Sequence, residues 1–532
     1  MSSSAQSLGK RNRLVITAST LGTVFEWYDF FIYGTLAALL AQHFFPGESG
    51  TAAFLKSLAV FGAGFLVRPL GGIIFGHLGD LIGRKYTFLV TITMMGVATF
   101  AIAFIPDYAT IGIWAPILLV AMRLLQGLAL GGEYGGAAIY VAEHAPPGKR
   151  GFFTSFIQMS AGAGFLLSIV VVLSTKGLMS AEEFTAWGWR VPFAFSLVIL
   201  LISLYIRLKL SESPVYAEMK AQGKTSKHPL KDAFASWPQA RLVLIALFGV
   251  AAGHTVIWYT AQFSVLYFLR DTMRLDASHA EMIMAASVAL GMPLMILMGW
   301  VSDKVGRKPV LLSGYLLSVL LVAPISPLAL FPHLASAANP AMSEAMKLAP
   351  VTVASTDCPY SAFAEKQTAE CARAMAFLAK RGISYERVEG VPGHEVVISF
   401  GGVNIEGFDE QSLIVAITAA GYPTDADTQR TNYPMVIAIV LALIFLSAVA
   451  YGPVAAIMTE LFPAKVRYTS MSVPYHFGTG WFGGLLPFVS QFIIVSTGDV
   501  YSGLWYMTGV VVIGFLVVLF FLPETRDRDI RA

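Results

Sequence analysis

Twelve stretches of mostly apolar residues run through the chain, near 14–42, 53–76, 86–106, 112–142, 152–175, 191–210, 242–269, 281–301, 309–331, 434–459, 469–496 and 502–522. A helix needs about 20 such residues to cross a bilayer. Inside hydrocarbon a lone segment must satisfy its own backbone hydrogen bonds, which leaves the α-helix as its structure. The chain is therefore expected to be an all-α membrane protein with twelve transmembrane helices. Composition agrees: 56% of the 532 residues are hydrophobic and 13% are charged, against about 25% charged in soluble domains. A soluble enzyme and a disordered chain are excluded. With 36 Lys+Arg against 33 Asp+Glu, there is no basic field for nucleic acid. The first apolar run is too long for a cleaved signal and contains Glu26 and Asp29.

Lys and Arg in loops set orientation. With the N-terminus inside, the inner segments hold 22 of these residues and the outer ones 12, of which seven sit in one long segment. Both termini are expected in the cytoplasm. Residues 211–241, with Lys220, Lys224, Lys227 and Lys231, read as a cytoplasmic linker.

An internal repeat divides the chain. Gly76-His-Leu-Gly-Asp80-Leu-Ile-Gly83-Arg84-Lys85 follows span 2, and Gly299-Trp-Val-Ser-Asp303-Lys304-Val-Gly306-Arg307-Lys308 follows span 8. Tyr134, Glu143 and Arg150 after span 4 match Tyr451, Glu460 and Arg467 after span 10. Two pairs in the same order indicate two pseudo-symmetric six-helix halves, as in many secondary transporters, whose site lies between the repeats near mid-membrane. The halves are 1–210 and 242–532, the latter as spans 7–9 (242–344) and spans 10–12 (431–532) around an insertion. The loop glycines permit close helix approach, and the aspartates can cap a helix and pair with arginine. Asp80, Gly83, Arg84, Glu143, Arg150, Asp303, Gly306, Arg307, Glu460 and Arg467 are expected to form a cytoplasmic gate, a latch that breaks when the inner side opens. The alternative is loop charge that only fixes topology.

The insertion, 345–430, is polar enough for a small α+β lobe on the outer side. Strands are expected at Val351–Ser355, Ile383–Val388 and Glu395–Phe400, and helices at Gln367–Lys380 and Glu410–Ala419. Both cysteines, Cys358 and Cys371, lie in it. An oxidising exterior favours their disulfide. Cys358-Pro-Tyr-Ser is similar to a glutaredoxin site without its second cysteine, so redox catalysis is not expected.

Ionisable residues inside spans are costly and face a cavity or a partner. Glu26 and Asp29 are three apart on span 1 and can share a face. Arg123 and Glu133 on span 4 are roughly 15 Å apart along the axis, too far to pair with each other. Asp29 or Glu133 is the expected proton site, with Glu26 still open. Arg123 is the expected partner of that carboxylate or the anchor for a substrate carboxylate. Arg68, beside Pro69, reads as packing. The stripe Gly127, Gly131, Gly135 reads as helix contact. His254, Trp258 and Gln262 fall at i, i+4 and i+8 on span 7, with Tyr259 beside them, and are expected to line the cavity. Tyr28, Tyr475 and His476 join them as substrate-binding candidates; aromatic walls with few polar groups suit a small organic ligand. Ordinary core packing is the competing reading for the aromatics. No nucleotide loop, nucleophile elbow or metal-ligand spacing is present in the sequence, so neither an enzyme nor a primary pump is expected, and no cofactor or metal.

The two Gly-x-x-x-Asp-x-x-Gly-Arg-Lys loops resemble the signature of the major facilitator superfamily, the first with Leu81 where a basic residue is usual. Arg123-Leu-Leu-Gln126-Gly127 is similar to the family's span 4 motif. Glu26-Trp-Tyr-Asp29-Phe, Arg68-Pro-Leu-Gly-Gly, Gly131-Gly-Glu133-Tyr-Gly-Gly, Trp187-Gly-Trp-Arg-Val-Pro192, Glu212-Ser-Pro214, Glu460-Leu-Phe-Pro-Ala-Lys-Val-Arg-Tyr468 and Leu522-Pro-Glu-Thr525 resemble its metabolite:proton symporter group. The resemblance implies the fold, a bacterial inner-membrane location, a functional monomer, and proton symport of small organic acids or of zwitterions such as proline and betaine. Proton-independent uniport or exchange and a ligand sensor are the alternatives.

Overall fold

The computed structural model describes residues 2–46, 50–82, 84–208, 221–222, 229–234, 236–356, 358–364 and 366–530; its side-chain description excludes 2–18, 50–51, 79–82, 84–85, 88, 229 and 233. Each of the twelve apolar stretches holds a helix. Among the described residues, nine helices are long and apolar enough to span a membrane: Ala52–Leu78, Trp114–His144, Arg150–Gly177, Arg190–Leu208, Trp237–Thr272, Ala277–Val305, Tyr433–Leu461, Arg467–Thr497 and Leu504–Phe521. Ser19–Thr35 with Ala37–Phe44, bent by 61°, makes a tenth. Arg84–Ile102 fills the third place, where Leu89–Ile102 counts as a shorter apolar helix, and Arg307–Val322, of 16 residues, fills the ninth.

Span 9 was expected to reach residue 331 and stops at Val322. Ala323 is extended (φ −56°, ψ 131°) because Pro324 follows it, and a residue before proline is disfavoured in the helical region. The chain then forms two short helices, Leu330–Ala338 and Pro340–Leu348.

Small residues decide which spans touch. Span 5 (Arg150–Gly177) lies along span 8 (Ala277–Val305), and Arg68–Ile82 of span 2 lies along Arg467–Phe477 of span 11. A Cβ on Gly299 would stand 2.5 Å from the carbonyl of Gly151, so any side chain there would push the two spans apart. The span 4 glycines work similarly: Gly127 rests on the Gly64 carbonyl, Gly131 on that of Arg68 and Gly135 on the Ser472 hydroxyl.

The inserted segment folds into a four-stranded sheet with two helices. The strands are β1 (Val351–Ser355), β2 (Tyr385–Glu389), β3 (Val397–Phe400) and β4 (Val403–Glu406), in the order β2-β1-β3-β4. β1 and β2 are parallel, joined through the helix Glu370–Lys380; β3 is antiparallel to both β1 and β4. Alternation explains the core, since Val351 and Val353 of β1 and Ile398 and Phe400 of β3 are buried. β4 was not expected from the sequence: its residues are mostly exposed, with no apolar alternation to mark it. Cys358 and Cys371 form the disulfide. The lobe rests on the ends of spans 7 and 11. Asn339 Nδ2 donates to the Met273 carbonyl (2.9 Å), Ala426 N to that of Arg274 (2.9 Å) and Tyr385 N to that of Gly498 (2.9 Å).

Candidate functional site

A closed pocket lies at the centre of the bundle, between spans 1, 2, 5, 7, 10 and 11. Its walls are Trp27, Phe31, Arg68, Ala161, His254, Thr255, Trp258, Tyr259, Tyr451, Tyr475 and Thr479. Its volume is ≈ 20 Å³, room for about one water molecule. Stacked rings fill the space: His254 lies on Tyr451 (4.6 Å, 7°), Tyr475 on Tyr134 (3.7 Å, 3°) and Phe31 on Trp258 (5.0 Å, 22°). The hydroxyls of Tyr451 and Tyr475 are 3.1 Å apart. Tyr134 donates to Gln158 Oε1 (2.8 Å), and Gln158 Nε2 donates to the Tyr451 carbonyl (3.2 Å).

Arg68 sets the chemistry of this pocket. It is fully buried, and none of its three guanidinium nitrogens has a hydrogen-bond partner. Its nearest support is from the faces of Phe65 (5.2 Å) and Trp27 (5.6 Å). Trp258 Nε1, the Tyr259 hydroxyl and both ring nitrogens of His476 are also buried and unpartnered. Buried polar groups are almost always paired, and a buried, unpaired charge is costly. The sequence reads Arg68 as packing; the structure sets it in the pocket wall with no hydrogen-bond partner. Its position beside Pro69 pointed to packing; only the meeting of six spans brings it into the pocket.

The other expected residues separate. His254, Trp258, Tyr259 and Tyr475 line the pocket. His254 Nδ1 sits 2.7 Å from the Val250 carbonyl, which makes Nδ1 a nitrogen that carries a proton. His476 packs against Gly72 beside Arg68's helix. Gln262 is buried but leaves the pocket wall. The residues Thr260–Ser264 are π-helical, and this wider turn rotates Gln262 off the face that holds His254 and Trp258. Tyr28 turns toward span 6, where its hydroxyl donates to the Pro192 carbonyl (2.6 Å).

Arg123 reaches no carboxylate among the described residues. Its guanidinium donates to Gln126 Oε1 (2.6 Å) and to the carbonyls of Phe30 and Phe61 (3.3 Å each), inside a cage of Phe30, Tyr33 and Phe61 rings. The expected Arg123 partnership is replaced by another. Glu133 pairs with Arg207, and Glu26 lies 3.7 Å from the same guanidinium. Arg207, near the end of the apolar stretch 191–210, is the base that holds them. It stands in the last turn of Arg190–Leu208 and folds back against Gly22, where no side chain blocks it. Asp29 is buried without an ion-pair partner among the described residues, and its Oδ1 accepts no hydrogen bond.

Among the described residues, ion pairs tie spans together at both ends of the bundle. On the lobe side Lys176 of span 5 binds both carboxylate oxygens of Glu281 of span 8 (2.9 Å each), and the Tyr267 hydroxyl donates to the Gly34 carbonyl (3.1 Å). On the opposite face Asp303 accepts from the backbone of Gly151 (2.9 Å) and Phe152 (2.7 Å), capping span 5 from span 8, and holds Arg307 (2.7 Å). Arg307 also pairs with Glu460 (3.2 Å). The repeat partners are exchanged between the halves: Arg150 binds Glu460 (3.5 Å) and Arg467 binds Glu143 (3.4 Å). Gly306 has φ 109°, and a Cβ there would meet Glu524. Glu524 caps the helix beginning at Arg307, taking the amides of Arg307 (2.9 Å) and Lys308 (3.1 Å). The chain end thereby joins the latch, with Thr525 donating to Glu460 (2.9 Å) and the Arg528 carbonyl accepting from Arg150 (2.9 Å). Gly83 and the side chains of Asp80 and Arg84 lie outside the described residues.

A bundle of apolar helices around a closed central pocket, bounded by an ion-pair seal at each end, is the architecture of a secondary transporter. A family model for sugar (and other) transporters matches residues 14–241 and 407–532. The chain is 30% identical over 531 residues to the inner membrane metabolite transport protein YhjE of Escherichia coli K12, covering 98% of this chain and 96% of that one. It is 37% identical over 312 residues to the proline/betaine transporter of Salmonella typhimurium LT2, covering 57% and 62%. The proton:xylose symporter XylE, of the major facilitator superfamily, superposes with a TM-score of 0.65 at 15% identity over 98% of both chains, a likeness of fold alone. The chain belongs to the sugar (and other) transporter family.

Proposed function

We propose that this transporter takes up a small carboxylate-bearing metabolite by proton-coupled symport with alternating access. The single observation that carries the reading is Arg68, a buried guanidinium with no partner at the wall of the central pocket. A carboxylate fits it because the planar fork donates two parallel hydrogen bonds to one carboxylate. The pocket is too small for any metabolite as it stands, so binding requires the rings to part. Asp29 is the proposed proton carrier. An isolated carboxylate charge is costly in this setting, and a bound proton removes it. Glu26 and Glu133 share one guanidinium and hold a second candidate position for a proton. The functional unit is a monomer in the bacterial inner membrane, both termini inside and the lobe outside.

The lobe-side seal of Lys176 and Glu281 then opens to the exterior, and the Asp303 network opens to the cytoplasm. Asp303→Asn removes the charge that holds Arg307 and caps span 5. Losing a charge-assisted cap costs about 1–2 kcal/mol, so the population open to the inside is expected to rise about tenfold. Labelling of a cysteine placed at Ser155, which lies under the seal, would read this from the inner side. Labelling equal to that of the parent would leave the network a topological feature only.

The substrate class is tested by uptake into proteoliposomes under an imposed inward pH gradient. Labelled 2-oxoglutarate, citrate, shikimate, proline and betaine are offered with and without a protonophore. Uphill accumulation of one carboxylate, abolished by protonophore, is expected. Uptake that ignores the gradient would replace symport by uniport or exchange. A zwitterion is the second reading. The faces of Trp27, Trp258 and Tyr259 in the pocket suit a quaternary ammonium, and proline and betaine, named for one relative, carry both groups.

A further inference from the structure

A second cavity, separate from the transport pocket, lies in the lobe. It measures ≈ 690 Å³ and is bounded by the helices Glu370–Lys380 and Glu410–Ala419, by Pro423 and Thr424, and by Arg274. A cavity of this size falls in the range of small-ligand sites. Five cations line it: Arg274, Lys366, Arg373, Lys380 and Arg381.

The acids do not cancel them. Arg373 meets Glu370 (3.2 Å), Arg381 meets Glu410 (4.0 Å) and Arg274 meets Asp425 (3.9 Å). Among the described residues, two of the five cations, Lys366 and Lys380, remain without an acidic partner. The arginines are also held in place. Arg381 lies flat on Phe377 (3.5 Å) and Arg373 on Phe408 (4.8 Å), which fixes their planes before any ligand arrives. Arg373 Nε is buried and unpartnered. Arg274 is the only non-glycine residue with positive φ (58°) among the described residues; its Nε donates to the Thr424 carbonyl (3.1 Å). Apolar Ile383, Ile414 and Ile417 complete the walls.

We propose that this cavity binds a small organic dianion of the dicarboxylate class. One carboxylate is taken by Arg373 and the other by Lys366 and Lys380, with the carbon chain over Phe377 and Phe408. Arg274 stands in the turn between spans 7 and 8, so the site touches both the lobe and the transport bundle. The geometry suits a capture site that holds anions beside the transporter's outer end. It does not depend on what the central pocket carries.

Succinate binding to the full-length chain in nanodiscs of zwitterionic lipid tests it by calorimetry, in the parent and in Arg68→Gln. A saturable site is expected in the parent and is expected to persist in Arg68→Gln. Lys366→Gln with Lys380→Gln, both exposed and safe for folding, is expected to weaken it about tenfold, and Arg373→Gln to abolish it. Loss of all binding in Arg68→Gln would place the dianion in the central pocket alone. Unchanged affinity in the double lysine variant would overturn the proposal. So would tighter binding of inorganic phosphate than of succinate, or competition by phosphatidylglycerol in the nanodisc, which would identify a phosphate or a lipid headgroup as the occupant.

Discussion

Arg68→Gln is expected to reduce uptake about 100-fold, through KM and maximal rate together, while leaving the protein at least as stable as the parent. The first effect follows from losing two charge-assisted hydrogen bonds to the substrate, each worth about 1.5–3 kcal/mol. Non-additivity holds the loss near the lower end. The second follows from the structure: Arg68 donates to nothing in the described conformation, so its removal relieves a buried, unpaired charge. These two signs together separate a binding role from a packing role. Were Arg68 a packing residue, thermal melting of the purified variant would fall, and uptake would fall with it. Arg68→Lys keeps the charge but loses the fork, and is expected to recover uptake only partly. Full uptake by Arg68→Gln would remove the carboxylate anchor from the proposal.

Asp29→Asn is expected to abolish accumulation and spare exchange. An amide keeps the size and polarity of the side chain but cannot carry the proton. The steady-state ratio of internal to external substrate should therefore fall to about one under a pH gradient. A gradient of one pH unit corresponds to 1.36 kcal/mol, or about tenfold accumulation for one proton per substrate. Counterflow, which needs binding and alternating access but no net proton movement, should continue. The choice of Asp29 over Glu133 rests on partners. Glu133 has Arg207 beside it, so its charge is already balanced, whereas Asp29 has no cation among the described residues. Gradient-driven accumulation that survives Asp29→Asn would move the proton to the Glu26 and Glu133 pair.

Much of this molecule is readable from local pattern. Apolar length marks the helices, and the repeat Asp80/Asp303 and Glu143/Glu460 marks the duplicated loops. The strand alternation of Val351–Ser355 and the pairing of Cys358 with Cys371 were also legible. Features that depend on a change of helical register were not. The π-helical turn at Thr260–Ser264 moves Gln262 off the pocket face, and a 3.6-residue periodicity cannot foresee it. Arg207 is hidden for a related reason. Its place at the end of a span makes it look like a loop cation, and only the proximity of Gly22 and Glu133 turns it inward.

The sequence by itself determined that the chain enters a membrane, because hydrocarbon admits only segments that satisfy their own backbone. It also determined that both halves carry the same charged loops, and that a polar lobe interrupts the second. Tertiary structure alone decided which charges meet. Arg150 and Glu143 lie seven residues apart, yet each binds an acid or base from the other repeat, Glu460 and Arg467. Arg123 and Arg68 look alike as intramembrane arginines. One is enclosed by carbonyls and rings, and the other lines the central pocket without a hydrogen-bond partner. Spacing along one helix states what a residue can face on that helix. What stands across from it is set by the packing of six spans, and the electrostatics of a buried charge depend almost wholly on that second fact.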